Sequence, residues 1–281
     1  MKKYLITGHK GQLGNEFVRI LEKKTDIELY SFDYDQLDIS NANQVMDFFS
    51  KVKPDFTINC AAYNLVDNAE KNPWEAFKIN TIGTSNLAFA CEKYQSFFVH
   101  FSSDYVFDGK KENLYTEEDE TNPLNEYGKS KLFGENAVLE SKSKNILFRT
   151  SWVYGNGTQN FIYKLMEWAK KNDTLKIAYD EMSVPTSVRT IAQITLKAIN
   201  DGLNGLFHLT NSDYCSRYEW ACEVFKIFKK NQAIYPVSSD IFNLPAKRPV
   251  FSAMSNSKLK SFYEINDWKK ELDLFLGQNK Y

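Results

Sequence analysis

The sequence predicts an α/β protein with a doubly wound, mostly parallel sheet and a smaller, mainly helical second domain. One observation is the alternation of short apolar strands with amphipathic helices through residue 155. The other is a glycine-spaced turn between the first strand and the first helix. Strong strands become fewer beyond that point. We therefore predict a first domain over residues 1–155, joined by returning segments of the later chain, and an interleaved second domain over residues 156–281.

Composition excludes several classes of protein. The 281 residues carry a formal net charge of −1, so no basic surface for nucleic acid is expected. The apolar runs are far too short for a membrane span, and the chain enters a strand without a signal peptide. Four scattered cysteines and three histidines form neither a zinc pattern nor a disulfide framework. We therefore expect a cytoplasmic protein with no metal and no membrane partner.

The first strand, residues 3–7, runs directly into glycines at positions 8, 11 and 14, and residues 15–24 then show helical apolar spacing. Such a turn lets the backbone approach a pyrophosphate at a helix N-terminus, where free amides favour negative charge. An ordinary tight turn would also use glycines. The position at the first strand-helix junction favours dinucleotide binding.

Two charged residues give opposite indications about the cofactor. Asp33 ends the second strand, residues 27–32, where a carboxylate can accept both adenosine ribose hydroxyls and would repel a 2′-phosphate. A surface turn would also explain Asp33. Lys10, inside the glycine loop, could instead pair with a 2′-phosphate. The residues leave NADPH and NADH both open.

The next elements continue the alternation. A helix after Asp38, capped by Ser40 or Asn41, leads to a strand at residues 56–60, and the small residues that follow leave room for a flat ligand. Economical packing would explain those small residues equally well. Residues 64–92 are helical in pattern with a break at Asn72-Pro73, and within them Asn80 could hold the backbone beside the active-site strand or be merely exposed.

The strongest candidate site follows the strand at residues 97–101. Ser102 and Ser103 stand where this strand opens at its carboxyl end, the edge of an open sheet at which ligands bind. Tyr127 and Lys131 come four residues apart, which on a helix places them on one face. A cation there can stabilise a phenolate. With 16 tyrosines in a lysine-rich chain such a pair arises readily by chance, so its weight comes from the strand before it.

The rest of the chain is less strand-rich. A further buried strand spans residues 145–150. The predicted helices beyond it are residues 161–171, 188–200 and 217–230, the predicted strands are residues 175–178 and 205–210, and a turn is predicted at residues 184–187.

Taken in order, these motifs resemble the extended short-chain dehydrogenase/reductases, which have a Rossmann fold, and within them the dTDP-4-dehydrorhamnose reductases. The resemblance spans nearly the whole chain. The stretches that carry it are residues 8–14, 61–70, 103–109, 123–131, 149–155, 184–186 and 248–259.

The resemblance implies NAD(P)H-dependent reduction of the C4 ketone of dTDP-4-dehydro-L-rhamnose by a monomer or homodimer. Tyr127 would be the acid, Lys131 would bind the nicotinamide ribose and lower the pKa of Tyr127, and Ser103 would hydrogen-bond the ketone oxygen. The nucleotide sugar would be faced by Ser103, Asp104 and Trp152. The implied cofactor contacts are Gly8, Lys10, Gly11, Gln12, Leu13, Gly14, Asp33, Asp38, Ile39, Ala61, Ala62, Tyr63, Tyr127 and Lys131.

Some positions depart from the family pattern. Ser103 stands where the family usually has Thr, and the His9-Lys10 pair is more similar to GDP-fucose synthases, where a basic residue accompanies NADP. Some members dimerise around magnesium held by glutamates, but Glu16 has no convincing partners, so no metal is predicted. Two other functions stay open: a reductase or epimerase of another nucleotide-linked 4-keto sugar, and a non-catalytic regulatory subunit such as that of methionine adenosyltransferase.

Overall fold

A computed structural model of the protein describes residues 1–278, and a six-stranded sheet lies at its centre. Its strands are β1 (Lys2–Thr7), β2 (Ile27–Phe32), β3 (Phe56–Asn59), β4 (Phe97–Ser103), β5 (Asn145–Thr150) and β10 (Gly205–His208). All of its strand pairs are parallel, in the order β2-β1-β3-β4-β5-β10. The predicted fold class is confirmed.

The strand order reverses between β1 and β3. From β1 the chain first adds β2 on one side and then places β3, β4 and β5 on the other. Loops that leave neighbouring strands in opposite directions open a crevice at the carboxyl edge of the sheet, where ligands of doubly wound proteins bind. The glycine loop after β1 and Ser103 at the end of β4 both lie at this edge.

Helices cover both faces of the sheet. They are α1 (Gln12–Leu21), α2 (Ala42–Val52), α3 (Val66–Lys71), α4 (Pro73–Phe77), α5 (Thr84–Tyr94), α6 (Glu126–Glu140), α7 (Phe161–Lys171), α8 (Val188–Asn200), α9 (Arg217–Ile227), α10 (Ser257–Lys260) and α11 (Trp268–Gln278). Buried side chains of α1, α8 and α10 pack on one face of the sheet, and those of α2, α5 and α6 pack on the other.

Short elements complete the chain. A π-helix, Lys78–Gly83, joins α4 to α5. One 3₁₀ turn, Asp104–Val106, follows β4, and a second one, Ser239–Phe242, lies before the loop that leads to α10. The short strands are β6 (Val153–Tyr154), β7 (Thr174–Ala178), β8 (Met182–Ser183), β9 (Thr186–Ser187), β11 (Cys215–Ser216) and β12 (Ala233–Val237).

A second apolar core lies beside the sheet. It is built around the fully buried Trp220, with side chains from α7, β7, α9 and α11. The chain returns from this region to the sheet, since α8 packs on it and β10 forms its edge. Four predicted elements end earlier than expected: the first helix ends at Leu21, the strand from residue 56 at Asn59, the strand from residue 205 at His208 and the helix from residue 217 at Ile227. Of the predicted turn at residues 184–187, Val184 and Pro185 connect β8 to β9, and Thr186 and Ser187 form β9 itself.

Within residues 1–278, no helix combines the length and the apolar character that crossing a membrane requires.

Candidate active site

A cavity of about 650 Å³ occupies the crevice at the carboxyl edge of the sheet. It begins at the glycine loop and ends against helix α6, so most of the predicted cofactor residues share one space with the predicted catalytic residues. The lining includes Lys10, Gly11, Gln12, Leu13, Asp33, Ala61, Ala62, Ser103, Asp104, Tyr127, Lys131 and Trp152.

The glycine loop is packed so tightly that a side chain would displace backbone. Gly8 has φ +69°, and a Cβ there would lie 2.6 Å from the backbone nitrogen of Ala61. A Cβ on Gly14 would lie 2.3 Å from the carbonyl oxygen of Gly8. Gly11 precedes α1 and has no side chain to cap it, so the first amides of the helix stay available to an anion. This cradle fits a dinucleotide pyrophosphate.

Lys10 and Asp33, which give opposite indications about the cofactor, are adjacent in the structure. One carboxylate oxygen of Asp33 accepts the backbone N–H of Lys10 at 3.2 Å. The Lys10 ammonium points to Asp35 instead, with Nζ to Oδ1 at 3.0 Å. The lysine that could meet a 2′-phosphate is thus paired with a neighbouring carboxylate, while Asp33 stays in the cavity wall.

Five predicted cofactor residues lie outside the cavity lining as the described residues form it: Gly8, Gly14, Asp38, Ile39 and Tyr63. The two glycines shape the loop from behind. Asp38 accepts from the backbone and hydroxyl of Ser40, and Ile39 is buried in the core with α2 and α5. The side chain of Tyr63 packs in the cluster that includes Tyr127.

Asn80 fixes the segment that follows β3. Its amide accepts from the backbone N–H of Tyr63 at 2.8 Å and donates to the carbonyl of the same residue at 3.0 Å. It also donates to the Ser130 hydroxyl at 2.9 Å. The side chain is 1% exposed and lies in the π-helix, an element often found at functional sites. Asn80 therefore ties the backbone beside the cavity to helix α6.

Tyr127 and Lys131 lie one turn apart on α6, and both are buried. Lys131 donates to the carbonyl oxygen of Phe101 at 2.6 Å, and Tyr127 donates to the side chain of Asn64 at 3.3 Å. Burial raises the pKa of Tyr127 to about 12, against a smaller opposing effect of the Ser103 hydroxyl, so the expected lowering of this pKa by Lys131 is wrong. Burial lowers the pKa of Lys131 to about 8. The tyrosine is therefore a neutral phenol at neutral pH, as a proton donor must be.

Ser103 and Asp104 form the other wall. The Ser103 hydroxyl donates to Oδ1 of Asp104 at 3.1 Å and accepts the backbone N–H of Tyr105. The other carboxylate oxygen accepts the hydroxyls of Ser183 and Ser252 at 2.8 and 2.6 Å. Burial raises the pKa of Asp104 above its ordinary value, and these three hydrogen bonds offset only part of that rise.

A second cavity of about 700 Å³ adjoins the first at Trp152, and Val153 and Gln159 line both. Trp152 has the left-handed backbone torsion φ +40°, and its ring lies 3.6 Å below the Arg217 guanidinium. The charged residues of the lining are four cations and one carboxylate: Lys164, Lys176, Arg217, Arg248 and Glu181. Such a lining suits a diphosphate.

The sequence matches the RmlD substrate binding domain family over residues 1–280. It is 32% identical over 286 aligned residues to a dTDP-4-dehydrorhamnose reductase from Aggregatibacter actinomycetemcomitans, covering 97% of each chain. The chain belongs to the dTDP-4-dehydrorhamnose reductase family. The enzyme of the same name from Escherichia coli K12 is 33% identical, with 98% of this chain and 97% of that one covered.

Solved structures of dTDP-4-dehydrorhamnose reductases share the architecture. One from Clostridium acetobutylicum superposes with a TM-score of 0.95 at 39% identity, covering 98% of this chain and 99% of that one. One from Bacillus anthracis, a complex with NADP, superposes with a TM-score of 0.94 at 33% identity, covering 99% and 100%.

Four residues that contact predicted site residues were not themselves predicted from the sequence. Asn64 meets Tyr127, and Ser183 and Ser252 meet Asp104. Arg217 was placed only at the start of a helix, yet it stacks on Trp152. The sequence offered a signal that could have predicted Asn64, since it is the first amide side chain after the small residues that follow β3. It offered no such signal for Ser183 or Ser252.

Glu16, considered above for a metal, is buried and pairs with Arg19 at 2.6 Å. Residues 1–278 contain no cluster of three or more His, Cys, Asp or Glu side chains placed to hold an ion.

Proposed function

We propose that the protein reduces the C4 ketone of dTDP-4-dehydro-L-rhamnose to dTDP-L-rhamnose with NADPH, NADH being the alternative cofactor. One observation carries the proposal. Ser103, Tyr127 and Lys131 line a single cavity that starts at a pyrophosphate-fitting glycine loop and adjoins, at Trp152, a cavity rich in cations. A dinucleotide and a nucleotide sugar can thus approach each other at the phenol. The names of the relatives and the NADP complex support the same reaction.

The residues divide the work of reduction. The nicotinamide, when bound, supplies a hydride to the C4 carbon. Tyr127 gives its phenolic proton to the ketone oxygen, so C=O becomes CH–OH, and the phenolate regains its proton from solvent. The Ser103 hydroxyl hydrogen-bonds the same oxygen. The Lys131 ammonium, one turn from Tyr127, stabilises the phenolate and binds the nicotinamide ribose.

The other site assignments belong to the same proposal. Gly11, Gln12, Leu13, Ala61 and Ala62 contact the cofactor, with Gly8 and Gly14 shaping the loop behind them. Asp33 and Asp38-Ile39 lie at the adenosine end, and Tyr63 follows the cofactor along its length. Asp104 and Trp152 face the sugar nucleotide. We assign residues 1–155, together with α8 and β10, to the cofactor domain and the rest of residues 156–281 to the substrate domain. A cytoplasmic monomer or homodimer completes the proposal.

The reaction is tested by mixing the purified protein with dTDP-4-dehydro-L-rhamnose and either NADPH or NADH. Loss of the absorbance of the reduced nicotinamide measures turnover, and the sugar product is then identified. Tyr127→Phe should lower turnover by roughly 10²- to 10⁴-fold while cofactor binding persists. Tyr235→Phe, at an exposed tyrosine on β12, is the matched control and should leave the rate unchanged.

Near-normal turnover in Tyr127→Phe would refute the assigned acid. An inert wild-type protein that still binds the dinucleotide would instead point to another nucleotide-linked 4-keto sugar, or to the regulatory function.

A further inference from the structure

Asp104 has an unusual set of partners for a carboxylate beside a substrate cavity. Its side chain is 2% exposed, and one oxygen accepts two hydroxyls from the later half of the chain. Ser183 belongs to β8 and Ser252 to the loop before α10, and both are buried. The second oxygen accepts the hydroxyl of Ser103. A buried carboxylate that accepts three hydroxyls is held in one orientation.

The Ser103 hydroxyl has a single proton to donate. That proton is directed at Asp104 Oδ1, and the backbone N–H of Tyr105 occupies one of the oxygen lone pairs. In this arrangement Ser103 cannot also donate to a ketone oxygen. To assist the reduction, the hydroxyl must turn away from Asp104, which leaves that carboxylate with one donor fewer.

A buried charge is destabilised when it loses a hydrogen bond. For Asp104 the size of that free-energy cost depends on which other donors still bind its carboxylate. The groups that face it are the phenols of Tyr105 and Tyr127 and the guanidinium of Arg217 on α9. No ion pair joins Arg217 to Asp104 among residues 1–278, where the carboxylate partner of Arg217 is Glu181 at 3.7 Å. The direct hydrogen bonds to Asp104 therefore come from hydroxyls.

We propose that Ser183 and Ser252 are positioning residues of this active site. They hold Asp104 as a satisfied carboxylate, so that the Ser103 hydroxyl can leave it and turn to the substrate oxygen. The inference rests on the proposed reduction for its consequence in turnover. It assigns to two serines a role that depends on their hydroxyls alone.

The backbone brings the two serines to Asp104 together. The Ser252 N–H donates to the Met182 carbonyl at 2.9 Å, and the Met182 N–H donates to the Val250 carbonyl at 2.8 Å. This short ladder joins β8 to the loop before α10, so the hydroxyls reach the same carboxylate oxygen from adjoining segments. Movement of either segment would therefore displace a hydroxyl that binds Asp104, and so alter the hydrogen bond between Asp104 and Ser103.

The test compares Ser183→Ala, Ser252→Ala and the double variant with Ser252→Thr, which restores a hydroxyl. Ser96→Ala is the matched control, because Ser96 is buried, pairs with the Thr57 hydroxyl, and lies at the opposite end of β4. We expect each alanine variant to lower kcat roughly tenfold and the double variant by more, with cofactor affinity unchanged. Asp104 should then hold its proton to higher pH, which moves the acid limb of the kcat profile upward, and Ser252→Thr should restore both quantities.

A second readout does not need the reaction. Infrared spectroscopy across pH should show the carbonyl band of a protonated carboxylic acid persisting to higher pH in the alanine variants, and Asp104→Asn should remove that band. Ser96→Ala should match the wild type. This readout stays decisive if the sugar is not reduced, so failure of the proposed function and failure of this inference are distinguishable.

Two outcomes overturn the inference. One is a wild-type kcat profile in the double variant. The other is a uniform loss of rate at every pH with an unmoved carboxylic acid band, which a merely structural role would give. If the double variant does not fold, the single variants decide by the same two readouts.

Discussion

Arg149 and Glu135 form a buried, two-pronged ion pair that joins strand β5 to helix α6. Nε of the arginine lies 3.0 Å from Oε1 of the glutamate, and Nη2 lies 2.8 Å from Oε2. The two side chains are 5% and 1% exposed. Because α6 also carries Tyr127 and Lys131, this pair fixes the helix of the proposed catalytic residues against β5.

Glu135→Leu should therefore lower the free energy of unfolding by about 3–5 kcal/mol, because it leaves the Arg149 charge buried without its partner. The double variant Arg149→Met/Glu135→Leu should recover much of that loss, since it removes both charges. Urea unfolding measures both. Glu167→Gln, in the solvent-exposed pair with Lys170, is the control and should change stability by less than about 1 kcal/mol. Equal losses in the single and double variants would contradict the interpretation.

Gly14→Ala should weaken dinucleotide binding by roughly tenfold or more and cost about 1–3 kcal/mol of stability, because its Cβ would meet the Gly8 carbonyl oxygen at 2.3 Å. Gly277→Ala offers a matched control, since among residues 1–278 a Cβ at that helical position meets no heavy atom within 4 Å beyond its own stretch of helix. Titration calorimetry with NADPH, paired with thermal unfolding, separates the two effects. Unchanged affinity in Gly14→Ala would show that the loop relaxes.

The lowered pKa of Lys131, about 8, gives a pH dependence with a definite sign. The ammonium is present below that pH and is lost above it, and only the ammonium can stabilise a phenolate. We expect kcat/KM, which reports the free enzyme, to decline as pH rises through about 8. Lys131→Met should be slow at every pH and lack this limb. A profile that stays flat beyond pH 8 in the wild type would argue against the role given to the lysine.

Asp35 should set the preference between the two nicotinamide cofactors, because it holds the Lys10 ammonium that would otherwise meet a 2′-phosphate. Asp35→Asn should strengthen binding of 2′,5′-ADP relative to 5′-ADP by a few-fold, an effect that added salt reduces. Asp47→Asn breaks a similarly exposed lysine pair on α2 and controls for the change in net charge. An unchanged ratio of the two affinities would remove Asp35 from cofactor choice.

Local sequence patterns were sufficient to predict most of the fold and the position of the candidate site. The glycine spacing after β1, the strand that ends at Ser103 and the Tyr127–Lys131 spacing each lie within one short segment. Steric limits and helical geometry act over such distances, so the chain itself determines which residues face the carboxyl edge of the sheet.

The partners of those residues were decided only by tertiary structure. Asp104 meets Ser183 and Ser252 across 79 and 148 positions of sequence, and Lys10 turns to Asp35 rather than remaining free. Likewise Lys131 donates to the carbonyl of Phe101, thirty positions away. No periodicity predicts such pairings, because they form between segments that are separated in sequence and come into contact only when the chain packs. The sequence by itself determined which candidate groups stand at the carboxyl edge of the sheet, and the packing of distant segments decided which hydrogen-bond partners those groups have.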